Sequence, residues 1–192
     1  SKIWRRFLNG IPHTITQQMN DSLTKKVEEK EIRDAVFSMN PNQSPGMDGM
    51  SPLFFQHFLL IIKEDIIKTI QTFFHTGFML KSVNHTVITL IPKTDNPTSL
   101  KHYRDISLCK VIYKIISKIL ANRIERVLNV CISMNQAAFV PGRQILENVI
   151  ISHEFLHHLK NKRQGKNEYF ALKLDMSKAY DRVEWKFLQE IM

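Results

Sequence analysis

Cysteine is scarce: Cys109 and Cys131 are the two among 192 residues. One bridge at most could form, and no paired-cysteine spacing suggests structural zinc. A reduced, intracellular setting is the expectation. Glycine and proline are also few, at 6 and 7, which excludes collagen-like and low-complexity chains. Long apolar runs are missing. The longest, Phe58-Leu59-Leu60-Ile61-Ile62, is far too short to span a bilayer. The opening residues, Ser1-Lys2-Ile3-Trp4-Arg5-Arg6, contain no initiator Met and no secretory h-region. Both ends read as cuts in a longer reading frame.

Acidic residues are outnumbered, 18 to 27, giving a net charge of +9. The excess lies in the second half. Residues 97–192 carry 16 basic and 9 acidic side chains, a net of +7, against 11 and 9, a net of +2, in residues 1–96. Such a balance favours a polyanionic partner, either nucleic acid or an acidic membrane face. What remains, 43% hydrophobic and 23% charged, is globular in composition and long enough to bury a core.

Apolar spacing predicts a helix over residues 23–39, ended by Pro41, Pro45 and Gly46. Residues 53–60 and 64–74 read as two helices or one bent helix closed by Gly77. The β-branched run at 84–92 predicts a strand. Residues 108–128 give the strongest helical pattern, and residues 149–159 and 185–191 give two more. Residues 160–167 form a basic turn, and the alternation at 169–174 predicts a second strand. Helices with separated strands suggest an α+β chain.

On the 108–128 helix, Lys110, Lys114, Lys118, Asn122 and Arg126 recur every four residues. A ridge of cations suits a phosphate backbone. A solvated face accounts for the same run. Lys160, Lys162, Arg163 and Lys166 pose the same choice. The eight histidines, including His157 and His158, are read as surface or core groups without ligand spacing to acids or cysteines. Asp175 closes the expected strand, where a carboxylate is a good hard-oxygen ligand for Mg²⁺. It serves equally well as an N-cap. One carboxylate does not hold two metals.

Leu172-Lys173-Leu174-Asp175-Met176-Ser177-Lys178-Ala179-Tyr180-Asp181-Arg182-Val183 resembles the first catalytic motif of the reverse transcriptase of non-LTR (LINE-type) retrotransposons, with plant elements closest. Four other segments agree in order. Ser44-Pro45-Gly46-Met47-Asp48-Gly49 resembles the family's Pro-Gly-x-Asp-Gly loop, and residues 87–93 its first fingers strand. Tyr103-Arg104-Asp105-Ile106-Ser107-Leu108 resembles its Arg-Pro-Ile-Ser-Leu motif. Residues 135–143 resemble its Gln-x-x-Phe-x-x-Gly-Arg stretch.

The resemblance implies a right-hand polymerase fold, helix-rich with short antiparallel strands. Residues 1–43 would be a helical extension and 44–192 the fingers and partial palm. It implies an RNA-directed DNA polymerase using Mg²⁺ or Mn²⁺ and deoxynucleoside triphosphates on an RNA template and DNA primer, without a membrane. A nuclear or cytoplasmic ribonucleoprotein would be the setting. Asp175 would be catalytic and ligate the metal. Tyr180 would lie under the incoming sugar and exclude a 2′-hydroxyl. Lys93 and Arg104 would reach the triphosphate. Gln136 and Arg143 would line the template–primer side.

Each residue also has a plainer reading. Tyr180 suits a core aromatic, Lys93 a solvated tip, Arg104 a pair with Asp105, and Arg143 an exposed turn. The family's second catalytic motif, with paired aspartates, has no counterpart in residues 182–192. Asp105 stands where the family has proline, and beside Arg104 it would compete with a triphosphate. Met47 and Met134 also replace family prolines. A non-catalytic nucleic-acid-binding remnant of a decayed element is therefore the alternative.

Overall fold

The computed structural model describes residues 8, 10–162, 169–176 and 178–191. They form seven α-helices and two strands: α1 (Gln17–Thr24), α2 (Glu29–Ser38), α3 (Pro52–Thr76), α4 (Lys81–Asn84), β1 (Val87–Pro92), β2 (Tyr103–Leu108), α5 (Val111–Cys131), α6 (Ile145–Asn161) and α7 (Trp185–Ile191). Single 3-10 turns cover Leu100–His102 and Tyr180–Arg182. The chain divides into two compact units, one of residues 18–126 and one of residues 1–17 with 127–192.

The 18–126 unit has a continuous core. Ile32, Ala35 and Val36 of α2 meet Phe55, Ile66 and Ile70 of α3 and Val111, Ile115, Ile116 and Ile119 of α5. These residues recur at three- and four-residue spacing, so each helix turns one apolar stripe inward. α3 is one helix. Proline sits in its first turn, and Gly77 closes it at φ 68°, donating its N–H to the Phe73 carbonyl at 2.7 Å.

The helix expected over 23–39 is instead two, α1 and α2. Their carbonyls explain the break. In a continuous helix the Leu23 and Val27 carbonyls would accept from the N–H groups four residues on. Here Arg123 Nη1 donates to the Leu23 oxygen at 2.9 Å, and Gln71 Nε2 to the Val27 oxygen at 2.9 Å. Tertiary donors have replaced helical ones.

β1 and β2 form a two-stranded antiparallel ribbon, from Val87 opposite Leu108 to Pro92 opposite Tyr103. The strand expected over 169–174 is a correction: those residues have no regular secondary structure and are exposed. Alternation suggests a strand but does not suffice for one. A strand also needs a neighbour for its N–H and C=O groups, and among the described residues only β1 and β2 pair. The basic turn at 160–167 falls mostly on residues outside those described.

Candidate functional site

The ribbon positions Lys93 and Arg104. The Lys93 N–H donates to the His102 carbonyl at 2.7 Å, one step beyond the Pro92–Tyr103 pair. Bonded pairs alternate along an antiparallel ladder. Ile91–Arg104 and Thr89–Ile106 are therefore bonded pairs, whereas Leu90–Asp105 is not. Opposed residues share a face and successive ones alternate. Arg104 consequently lies on the same face as Lys93, and Asp105 lies on the other. The Lys93 ammonium donates to the Lys101 carbonyl at 3.2 Å, leaving further protons to donate.

This geometry corrects the view of Asp105 as a competitor. Its carboxylate is on the opposite face from Arg104, and among the described residues no ion pair joins the two. Its N–H also points away from β1. A proline there, as the family has, would remove no ladder bond.

The 44–49 loop is held against the start of α5. Lys114 Nζ donates to the Ser44 carbonyl at 2.6 Å. A Cβ at Gly46 would lie 2.7 Å from the Lys110 nitrogen and 2.8 Å from its Cα, so only glycine fits without moving backbone. Asp48 Oδ1 accepts the Met50 N–H at 3.2 Å, an Asx turn, with Gly49 at φ 69°. Lys110, Lys114 and Lys118 are half-buried, whereas Arg126 is exposed. Lys114 is thus engaged internally, and the ridge is less uniform than its spacing suggests.

In the other unit, Arg143 clamps the turn after α5. Its guanidinium donates to the carbonyls of Ser133, Gln136 (2.7 Å) and Ile132 (3.1 Å). Gln136 Nε2 turns back to the Ala138 carbonyl at 3.3 Å. Both expected template contacts therefore make internal bonds. Asp175 is exposed, and Tyr180 is 87% exposed, so within this chain Tyr180 packs into no core. Lys93 and Arg104 belong to one unit, Asp175 and Tyr180 to the other. As a donor set for two metals Asp175 is insufficient. A two-metal site takes carboxylates from more than one motif, and among the described residues no group of three or more His, Cys, Asp or Glu side chains converges.

Sequence reasoning missed Arg123. It is 6% exposed, with Nε 2.7 Å and Nη2 2.8 Å from the two Glu31 carboxylate oxygens. Its Cζ lies 5.4 Å from the Phe74 ring centroid. The Glu31 hydrogen bond holds the guanidinium above its ordinary pKa, against the opposing effect of burial. The signal was present: Arg123 follows Ile119 and precedes Val127 at four-residue steps, inside the apolar stripe.

A family model described as reverse transcriptase (RNA-dependent DNA polymerase) matches residues 91–192. A Xenopus laevis relative, "Transposon TX1 uncharacterized 149 kDa protein", is 32% identical over 180 residues, covering 94% of this chain and 14% of its own length. "Probable RNA-directed DNA polymerase from transposon BS" of Drosophila melanogaster is 26% identical over 169 residues, covering 83% of this chain and 18% of its own length. The chain thus spans less than a fifth of either relative.

Proposed function

Because this chain belongs to the reverse transcriptase (RNA-dependent DNA polymerase) family, we propose that it forms the fingers and opening palm of a retroelement polymerase that copies RNA into DNA. Its parent is read as a non-LTR element of the plant kind, on the ordered motifs from Ser44 to Val183. Residues 1–43 are a helical extension to this region.

The observation that carries the reading is the shared face of Lys93 and Arg104. One cation on β2 and one just past the end of β1 suit a triphosphate, whose transfer depends on positioned positive charge. Arg104 supplies a planar fork and Lys93 a compact charge. Asp175 is assigned to the metal-binding motif and Tyr180 to the sugar, on the motif alone. Mg²⁺ or Mn²⁺ is the expected ion. Asp175 by itself does not fit a two-metal site, so no step is routed through the metal.

Lys110 and Lys118 are assigned to the nucleic-acid backbone. Lys114 is assigned to shaping that surface, and Gln136 and Arg143, in the other unit, to the template–primer side on the motif alone. The chain should bind an RNA–DNA hybrid with little sequence preference and with affinity that falls steeply with salt. Fluorescence anisotropy across a salt series measures the slope. Lys110→Gln and Lys118→Gln together should flatten it by about 2, close to one per lost phosphate contact. An unchanged slope would return the ridge to a solvated face. Loss of hybrid binding altogether in the unaltered chain would favour a protein-docking role.

A further inference from the structure

Helix α6 carries one histidine spacing that a search for acids and cysteines at ligand distance passes over. His153-Glu154-Phe155-Leu156-His157 places two imidazoles four residues apart with a glutamate beside the first. On a helix that spacing directs both rings to one face, the arrangement that chelates a metal ion. At about 100° per residue, His157 lies about 40° from His153, and Asn161 about 80° from it. Glu154 and His158 flank them at about 100° and 140°.

The structure makes this face a local concavity of about 400 Å³, lined by His153, Glu154, His157, His158 and Asn161. All five residues belong to α6 and are exposed, and one contact joins two of them. That contact is the Asn161 amide, whose Nδ2 lies 2.7 Å from His157 Nε2. The amide thus occupies one ring nitrogen of His157.

We propose that His153 and His157 form a two-imidazole site for a divalent transition-metal ion of the Zn²⁺ class. Neutral imidazole suits Zn²⁺, Cu²⁺ and Ni²⁺ and serves Mg²⁺ poorly, because Mg²⁺ takes oxygen ligands. The site is therefore chemically distinct from any Mg²⁺ site at Asp175. Glu154 adds a negative charge beside the pair. The entering ion displaces the Asn161 amide from His157, and water completes the coordination. No hydrolytic step is proposed, because a catalytic zinc is held by three protein ligands and no cluster of three converges among the described residues.

Zn²⁺ is titrated into the 192-residue chain in excess Mg²⁺, in a Cys109→Ser, Cys131→Ser background that removes competing thiols. Imidazole nitrogen NMR identifies which rings respond, and competition with a chromophoric chelator gives the affinity. The His153 and His157 signals should move first. His153→Ala or His157→Ala should each weaken binding by about tenfold or more, whereas His158→Ala should change it less than about twofold. Response of other rings ahead of His153 and His157 would overturn the site. So would unchanged affinity in both single variants.

Discussion

Arg123→Met should lower the stability of the chain by about 3–5 kcal/mol, read as a fall in the urea midpoint. The substitution removes both hydrogen bonds to Glu31 and the bond to the Leu23 carbonyl. What remains is the larger cost. Glu31, whose side chain is 19% exposed, keeps its charge without a partner, and the Leu23 oxygen loses its donor. The double variant Glu31→Leu, Arg123→Met should recover most of the loss, because it removes the stranded charge. A single-variant loss below about 1 kcal/mol, within the range of exposed pairs, would mean that the pair is a surface ornament of the fold. The pH dependence has a definite sign. A guanidinium held above its ordinary pKa keeps its stabilising contribution below that ordinary value and loses it as pH rises through the raised one. Arg123 therefore contributes no pH dependence near neutrality.

The second large effect is an absence. The 192-residue chain should show no templated nucleotide addition with either Mg²⁺ or Mn²⁺. Nucleotidyl transfer through two metals needs carboxylates from separate motifs. Asp175 is the one such carboxylate the motifs assign, and it lies on exposed coil. Single-nucleotide incorporation on a primed RNA template is the measurement. Detectable addition that disappears in Asp175→Asn would show that another carboxylate completes the site.

Much of the architecture was legible because the helices are strongly periodic. Ile115, Ile116 and Ile119 announced α5, and Gly77 announced the end of α3. Boundaries failed where the deciding partner is distant in sequence. The break between α1 and α2 depends on Arg123 and Gln71, 100 and 44 residues from the carbonyls they occupy. β2 went unread because Arg104 and Asp105 interrupt its apolar run, and its pairing with β1 supplies what the run lacks. The strand expected at 169–174 failed for the converse reason. Its alternation is sound, but no described strand pairs with it.

The site was legible as motifs and illegible as geometry. Neighbours in sequence looked like a charge pair at Arg104 and Asp105, yet strand alternation separates them. Lys114 and Arg143 looked like contacts for a phosphate, yet each donates to backbone carbonyls. Nothing in a residue's type distinguishes those uses, since a cation can donate to a backbone carbonyl as well as to a phosphate.

The Arg143 clamp bears on how the corner after α5 comes apart. A helix end normally leaves its last carbonyls to water and frays one residue at a time. Here one side chain joins three of the carbonyls beyond Cys131. Ordering an arginine costs about 2 kcal/mol of rotamer freedom, and that cost is incurred once for all three bonds. Releasing any single carbonyl recovers almost none of that freedom. The corner from Ile132 to Arg143 should therefore stay closed through small fluctuations and open as a block.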